Sequence, residues 1–319
     1  MDEQQQNNIK VIKSRIGGQA LIEGVMMRGM THTAMAVRKP DGTIDVSKEE
    51  IHTSKAMRTA GKIPLVRGVV MFVQSIVTGY RYLAKSAEIS GMAEEEEEPE
   101  SKFERWLTKI FGEHLMKVLM GISMVLGLAL CILLFILVPA LVVKGIDMIV
   151  PLGGFKSLLE GVIKMAIFIG YLAAVSRMKE MKRVFQYHGA EHKSIFCYEN
   201  GLPLTVENVR KQKRFHPRCG TSFMILILII SIVVSSVVTW DNMLVRVLLK
   251  IVTLPLIMGI GYELIKLAGR YDNLITRIIS WPGMCMQHLT TAEPDDSQIE
   301  VAIASLEPVL PTNREEDQW

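Results

Sequence analysis

Apolar residues in this chain are gathered into blocks rather than spread at one period. Val118 to Val143 is 26 residues without a charge, long enough to cross a bilayer with some tilt. Cys219 to Trp240 is a second uncharged stretch, with the core MILILIISIVVSSVV. Two further blocks are interrupted by charge. Ser157 to Val175 carries Glu160 and Lys164, four apart, ahead of MAIFIGYLAAV. Met243 to Gly269 carries Arg246 and Lys250 at one end and Glu263 and Lys266 at the other. Such charges must snorkel or pair within the membrane. Spans are therefore expected at 118–143, 157–175, 220–240 and 243–267. Val69 to Tyr80, behind Pro64 and Arg67, is shorter and fits an interfacial or core helix.

The polar remainder frames these blocks. Thr33–Lys39 and Thr43–Ser47, joined by Pro40-Asp41-Gly42, read as a β-hairpin. Ahead of it, four glycines between Gly17 and Gly29 imply a backbone that turns tightly or closely approaches another surface. Glu94–Glu98 with Pro99 is a solvated linker. In the tail, Asp295-Asp296-Ser297 supplies an N-cap and early acids for a short helix over 298–306. The expected protein is a mainly α integral membrane protein, with about four transmembrane helices and a small α+β N-terminal cytoplasmic part. Its divisions are an α+β region at 1–92, an acidic linker at 93–102, a transmembrane domain at 103–269 with a loop at 176–219, and a tail at 270–319.

Lys and Arg set the orientation. Residues 1–117, 176–218 and 270–319 carry 17, 10 and 3 of them, whereas the intervening loops hold little beyond Lys144 and Lys156. Both termini and the 176–219 loop are expected in the cytoplasm. The start, MDEQQQNNIK, has no apolar h-region, so no cleaved signal peptide is expected.

Composition sharpens the class. Among 319 residues, 49% are hydrophobic and 7% aromatic, and the mean hydropathy is +0.27, which argues against disorder and against a plain soluble enzyme. A net charge of +3 without a clustered basic face gives no case for nucleic acid. Four widely spaced cysteines are no disulfide framework, and in the cytosol they would be thiols or metal ligands.

Candidate chemistry centres on His188-Gly189-Ala190-Glu191-His192. In this H-x-x-E-H order, residues four apart share a helix face, so two imidazoles can hold one Zn²⁺ while Glu191 acts as a general base. The helix is expected to continue the second span into the cytoplasm. A catalytic zinc needs a third ligand, and His216, Cys219, Glu263 and Glu23 are the candidates. His216 and Cys219 lie 24 and 27 residues after His192, and Glu263 lies 71 after it. If His216 and Cys219 both bound, the sphere would be closed and structural. Tyr187, Tyr262 and Tyr271 are candidates for stabilising an oxyanion.

GGQALIEGVMMRG, AVRKPDG, HGAEHK, HPRCGTSF and PGMCMQHLTTAEPDD together resemble the YqhQ family of bacterial multi-pass membrane proteins over nearly the whole chain. That family is described as a domain of unknown function and as a predicted metal-dependent enzyme. The resemblance implies a bacterial plasma-membrane protein and adds weight to His188, Glu191, His192, His216 and Cys219 as a site. Two functions are in view. One is a membrane-embedded zinc hydrolase, peptidase-like, acting at the cytoplasmic membrane face on membrane proteins or peptides, with lipids left open as substrates. The other is a non-enzymatic accessory or adaptor protein in membrane-protein biogenesis or quality control, with a structural metal. A transporter is disfavoured, since no inverted repeat is visible.

Overall fold

The structure, a computed structural model, describes residues 11–52, 55–91, 115–237, 243–271 and 273–317. The fold is mainly helical with a small N-terminal antiparallel sheet, and the chain divides into two compact units that do not follow chain order. One joins residues 1–93, 172–230 and 253–319; the other joins 94–171 and 231–252. The acidic linker expected at 93–102 lies outside the described residues.

In the first unit, β1 (Gly17–Leu21), β2 (Gly24–Arg28), β3 (His32–Arg38) and β4 (Ile44–Glu50) pair in sequence order. The expected hairpin is β3–β4. Its turn uses Gly42 at φ +85°, and Asp41 accepts the Thr43 N–H. The glycine-rich segment forms β1 and β2 around a turn in which Glu23 adopts φ +49°. A Cβ on Gly24 would collide with the Ala36 carbonyl and Val37, the close approach the glycines implied.

Both sheet faces are covered. Successive side chains alternate sides, so Val25, Met27, Ala34 and Ala36 share one core with Tyr187, Ala190 and Ile299, whereas Met26, Met35 and Val37 share another with Tyr82. The first core is closed by α6 (Lys179–Glu199) and α11 (Asp296–Leu306), the second by α2 (Val66–Ile89), which follows α1 (Lys55–Ala60). The expected Val69–Tyr80 helix is the middle of α2. As expected from the tail, Asp295 caps α11 in a capping box with Gln298. Short α7 (Val206–Arg210) packs on α6 and α11.

The second unit contains α3 (Leu115–Ile132), a π-helical turn (Leu133–Leu137), α4 (Val138–Ile149) and most of α5 (Lys156–Val175). The π turn precedes Pro139, whose missing N–H disturbs the helical ladder there. Glu160 of α5 is buried, with Ser157, Lys164, Ser231 and Ser235 around it.

Among the described residues, four helical stretches are long and apolar enough to cross a membrane: Val125–Ile149, Gly153–Val175, Gly220–Val237 and Ile251–Arg270. The first runs past its expected end at 143, because Lys144 does not end α4 and Asp147 pairs with Lys156 at 2.7 Å beyond it. The third is α8 (Gly220–Val237), and the fourth lies in α9 (Met243–Arg270). The HxxEH helix does not continue the second span. Met178 is extended at ψ 137°, and the Ser176 hydroxyl bonds the Ala173 carbonyl, so α5 stops and α6 starts afresh.

Candidate metal centre

Helix α6 presents the HxxEH face between the sheet and residues 290–294, which follow α10 (Leu274–Thr290). Its small residues set that position. A Cβ on Gly189 would strike the Ala292 carbonyl, and the Ala292 N–H bonds the Phe185 carbonyl at 2.8 Å. On the sheet side, Gly18 leaves room for the Glu191 side chain, whose Cγ and Cδ would stand 2.9 Å from a Cβ there.

His188, His192 and Cys219 come together, with one ligand atom from each lying within 4.8 Å of the others. The backbone fixes both imidazoles. His188 Nδ1 meets the Thr290 carbonyl at 2.7 Å, and His192 Nδ1 meets the Arg214 carbonyl at 2.5 Å. A carbonyl only accepts, so each Nδ1 carries a proton and each Nε2 is the nitrogen turned to the group, where a bound metal would take its lone pair. His188 Nε2 lies 3.2 Å from Cys219 Sγ, and His192 Nε2 is buried without a hydrogen-bond partner. Tetrahedral zinc with bonds of about 2.0–2.3 Å holds its ligands roughly 3.3–3.8 Å apart, close to this spacing. Carbonyl-anchored histidines are the usual outer support of such ligands. The donor set thus fits a metal ion.

Electrostatics agree with a thiolate in the group. Burial alone would lower His188 and raise Cys219. Their mutual contact reverses both, so His188 rises to about 9 and Cys219 falls well below its ordinary value. Burial raises Glu191, partly offset by the two histidines. Its Oε2 has no hydrogen-bond partner.

The other sequence candidates are placed elsewhere or differently. His216 stacks near His192, with ring centroids 5.6 Å apart, but its Nδ1 accepts the Arg218 N–H at 3.3 Å and its Nε2 faces Glu199 at 3.7 Å. Burial pushes it down to about 4. Glu263 forms a bidentate pair with Arg67 and is no member of the group. Glu23 pairs with Arg183 and accepts the Tyr187 hydroxyl at 3.1 Å, so neither Glu23 nor Tyr187 faces the group. Tyr271 is exposed, whereas Tyr262 lines the cavity described next.

A cavity of about 430 Å³ reaches Glu191, His192, His216 and Cys219. Sequence reasoning missed its three arginines, Arg15, Arg28 and Arg218. It also missed Glu199, a buried carboxylate that holds Arg218 and accepts the Ser14 N–H, and Gln287, which clasps the His216 backbone. Arg28, Arg218 and Gln287 stand inside GGQALIEGVMMRG, HPRCGTSF and PGMCMQHLTTAEPDD, but nothing in those strings marks them as residues of the cavity or of the clasp.

Fold and site together define a mainly helical protein with four helices able to cross a membrane and a buried His-His-Cys group able to hold a metal. The chain belongs to the DUF1385 family, described as a protein of unknown function, whose model matches residues 63–312. It is 35% identical over 303 residues to the "Uncharacterized protein YqhQ" of Bacillus subtilis (strain 168), covering 92% of each chain. No solved structure matches it.

Proposed function

We propose that this is a zinc-dependent hydrolase embedded in a bacterial plasma membrane, with its site at the cytoplasmic face. One arrangement carries the reading: two Nε2 atoms and one thiolate converge beside a cavity, next to a Glu191 oxygen that nothing in the fold satisfies. Three protein ligands with a fourth position open is the catalytic form of a zinc site, whereas a structural site is closed. The residue that would close it, His216, is engaged by Arg218 and Glu199 instead. The excess of Lys and Arg in residues 1–117 and 176–218 supports the orientation, the four long apolar helices among the described residues support the membrane, and the Bacillus subtilis relative supports a bacterial source.

When bound, zinc polarises the scissile carbonyl or phosphoryl oxygen and lowers the pKa of water. Glu191 holds the proton of the attacking water at Oε2 and returns it to the leaving group. The Thr290 and Arg214 carbonyls hold the imidazoles in the tautomer that leaves Nε2 free. The Phe72 and Phe223 rings form part of the apolar wall of the cavity, 5.7 Å apart.

The test is elemental analysis of the detergent-purified full chain, alongside turnover of a fluorogenic peptide and a fluorogenic phospholipid. Wild type is expected to hold one zinc per chain. Glu191→Gln keeps it and loses about a hundredfold or more in turnover, and His192→Ala loses the metal. Wild type without stoichiometric metal contradicts the reading. Metal retained with no turnover on either probe, and Cys219 shielded from alkylation until chelation, would point to the adaptor with a structural metal.

A further inference from the structure

We propose that the cavity beside the His-His-Cys group takes the anionic head group of a membrane phospholipid, whose acyl chains lie along α2. As the substrate class of the hydrolase it rests on the reading above; as a binding site it stands on two features of its own.

The first is the cavity wall. It carries three guanidinium groups and one carboxylate, Glu191. Glu199 neutralises Arg218, and Asp317 accepts the Arg15 backbone N–H. Among the described residues neither the Arg15 nor the Arg28 guanidinium forms an ion pair with a carboxylate, so two positive groups stand against the one Glu191 carboxylate and an excess positive charge faces the cavity. Guanidinium matches the planar, bidentate geometry of phosphate. Much of the remaining wall is apolar, with Met71, Phe72, Phe223 and Ile265, and the two phenylalanine rings stand 5.7 Å apart. A ligand suited to both parts is an anion on an apolar stem. At about 430 Å³ the space is too small for a whole diacyl lipid, so the chains must leave it.

The second is the depth of α2. Its first turn is fixed to α9 by two glycines. A Cβ on Gly68 would stand 3.0 Å from Gly259 Cα, and one on Gly259 would stand 2.8 Å from Leu65 Cα. Gly259 is midway along the Ile251–Arg270 stretch, about 12 Å from one end and 16 Å from the other at 1.5 Å per residue. From Gly68, α2 rises about 16 Å to Gly79, whose carbonyl accepts a hydrogen bond from Gln19 of the sheet. The helix therefore runs through the inner half of the membrane thickness that α9 defines. No residue from Gly68 to Tyr80 is charged, and Val73, Ile76 and Val77 are exposed beside the cavity-lining positions. Arg67, at the deep end, is neutralised by Glu263. Lys62 is exposed before the turn. Lipid thus covers the outer flank of the helix whose inner flank walls the cavity.

The experiment is native mass spectrometry of the full chain in detergent, titrated with dioleoyl phosphatidylglycerol, dioleoyl phosphatidylcholine or soluble glycerol phosphate, with zinc measured on the same samples. Phosphatidylglycerol is expected to bind about tenfold more tightly than phosphatidylcholine. Arg28→Gln should abolish that preference with zinc content unchanged, while Arg81→Gln, whose partner Glu49 lies outside the cavity, should leave it intact. Equal binding of the two lipids by wild type, or a preference that survives Arg28→Gln, would overturn the proposal. Glycerol phosphate binding as tightly as the lipid would overturn the bilayer source. Zinc retained without lipid preference sinks this inference alone; lipid preference without zinc sinks the hydrolase alone.

Discussion

Gln287 is fully buried, and its amide bonds the His216 backbone on both sides and also donates to the Ser222 hydroxyl at 3.3 Å. Its Oε1 accepts the His216 N–H and its Nε2 donates to the His216 carbonyl, both at 2.7 Å. This clasp fixes the turn that delivers Cys219. Gln287→Leu leaves the His216 N–H unpaired and the His216 carbonyl with only the Cys219 N–H as donor, so it should cost about 1–3 kcal/mol, read as a lower midpoint of thermal unfolding together with reduced zinc content. Beside it, burial holds the His216 imidazole neutral, near a pKa of about 4. Burial would raise Glu199, but the contact with His216 and the charge of Arg218 outweigh it and keep the carboxyl below its ordinary value. Both groups bind protons more readily when the chain unfolds, so both contribute stability at neutral pH that is lost on acidification. For His216 the loss begins below its ordinary value of about 6.5 and continues to about 4; for Glu199 it begins below about 4.3. The melting temperature should therefore fall from pH 7 toward pH 4, and His216→Phe should flatten the upper part of that fall. At this scale the two histidines, Glu191 and Cys219 were legible as residue types at a helical spacing and a later thiol. What fixes them was not, because the Thr290 and Arg214 carbonyls are backbone atoms that no side-chain pattern encodes.

Among the elements, α6 is the one whose placement makes the site. Gly189 lets it lie against residues 290–294, and a methyl there meets the Ala292 carbonyl, a backbone atom that cannot turn aside. Gly189→Ala is expected to destabilise by about 1–3 kcal/mol and to weaken zinc binding although no ligand is changed. Zinc titration of the refolded or partially stripped full chain measures this, and unchanged affinity would contradict it. Local devices were readable in advance: the Pro40-Asp41-Gly42 turn and the Asp295 cap are built from neighbours in sequence. The break between α5 and α6 was not, since 176–178 contains neither proline nor glycine and Met178 is extended by its tertiary setting. Likewise the run Val69–Tyr80, expected as a short helix behind Pro64 and Arg67, is the middle of α2, because charged residues such as Arg81 continue a helix on its exposed face and Arg67 is paired by Glu263.

For the whole molecule, the charge-free blocks announced the spans because bilayer thickness demands length and apolarity together. The grouping of residues 1–93, 172–230 and 253–319 into one unit was hidden, since it depends on pairings across hundreds of residues. That grouping brings a cysteine just ahead of α8 to two histidines on a helix that packs on the sheet beside α11. The central claim, a metal at this junction with one position open, is tested most directly by zinc X-ray absorption on the purified full chain. The expected shell has one sulfur at about 2.3 Å and three nitrogen or oxygen neighbours at about 2.0–2.1 Å, with the sulfur lost in Cys219→Ser. A shell without sulfur, or with two sulfurs, would contradict it.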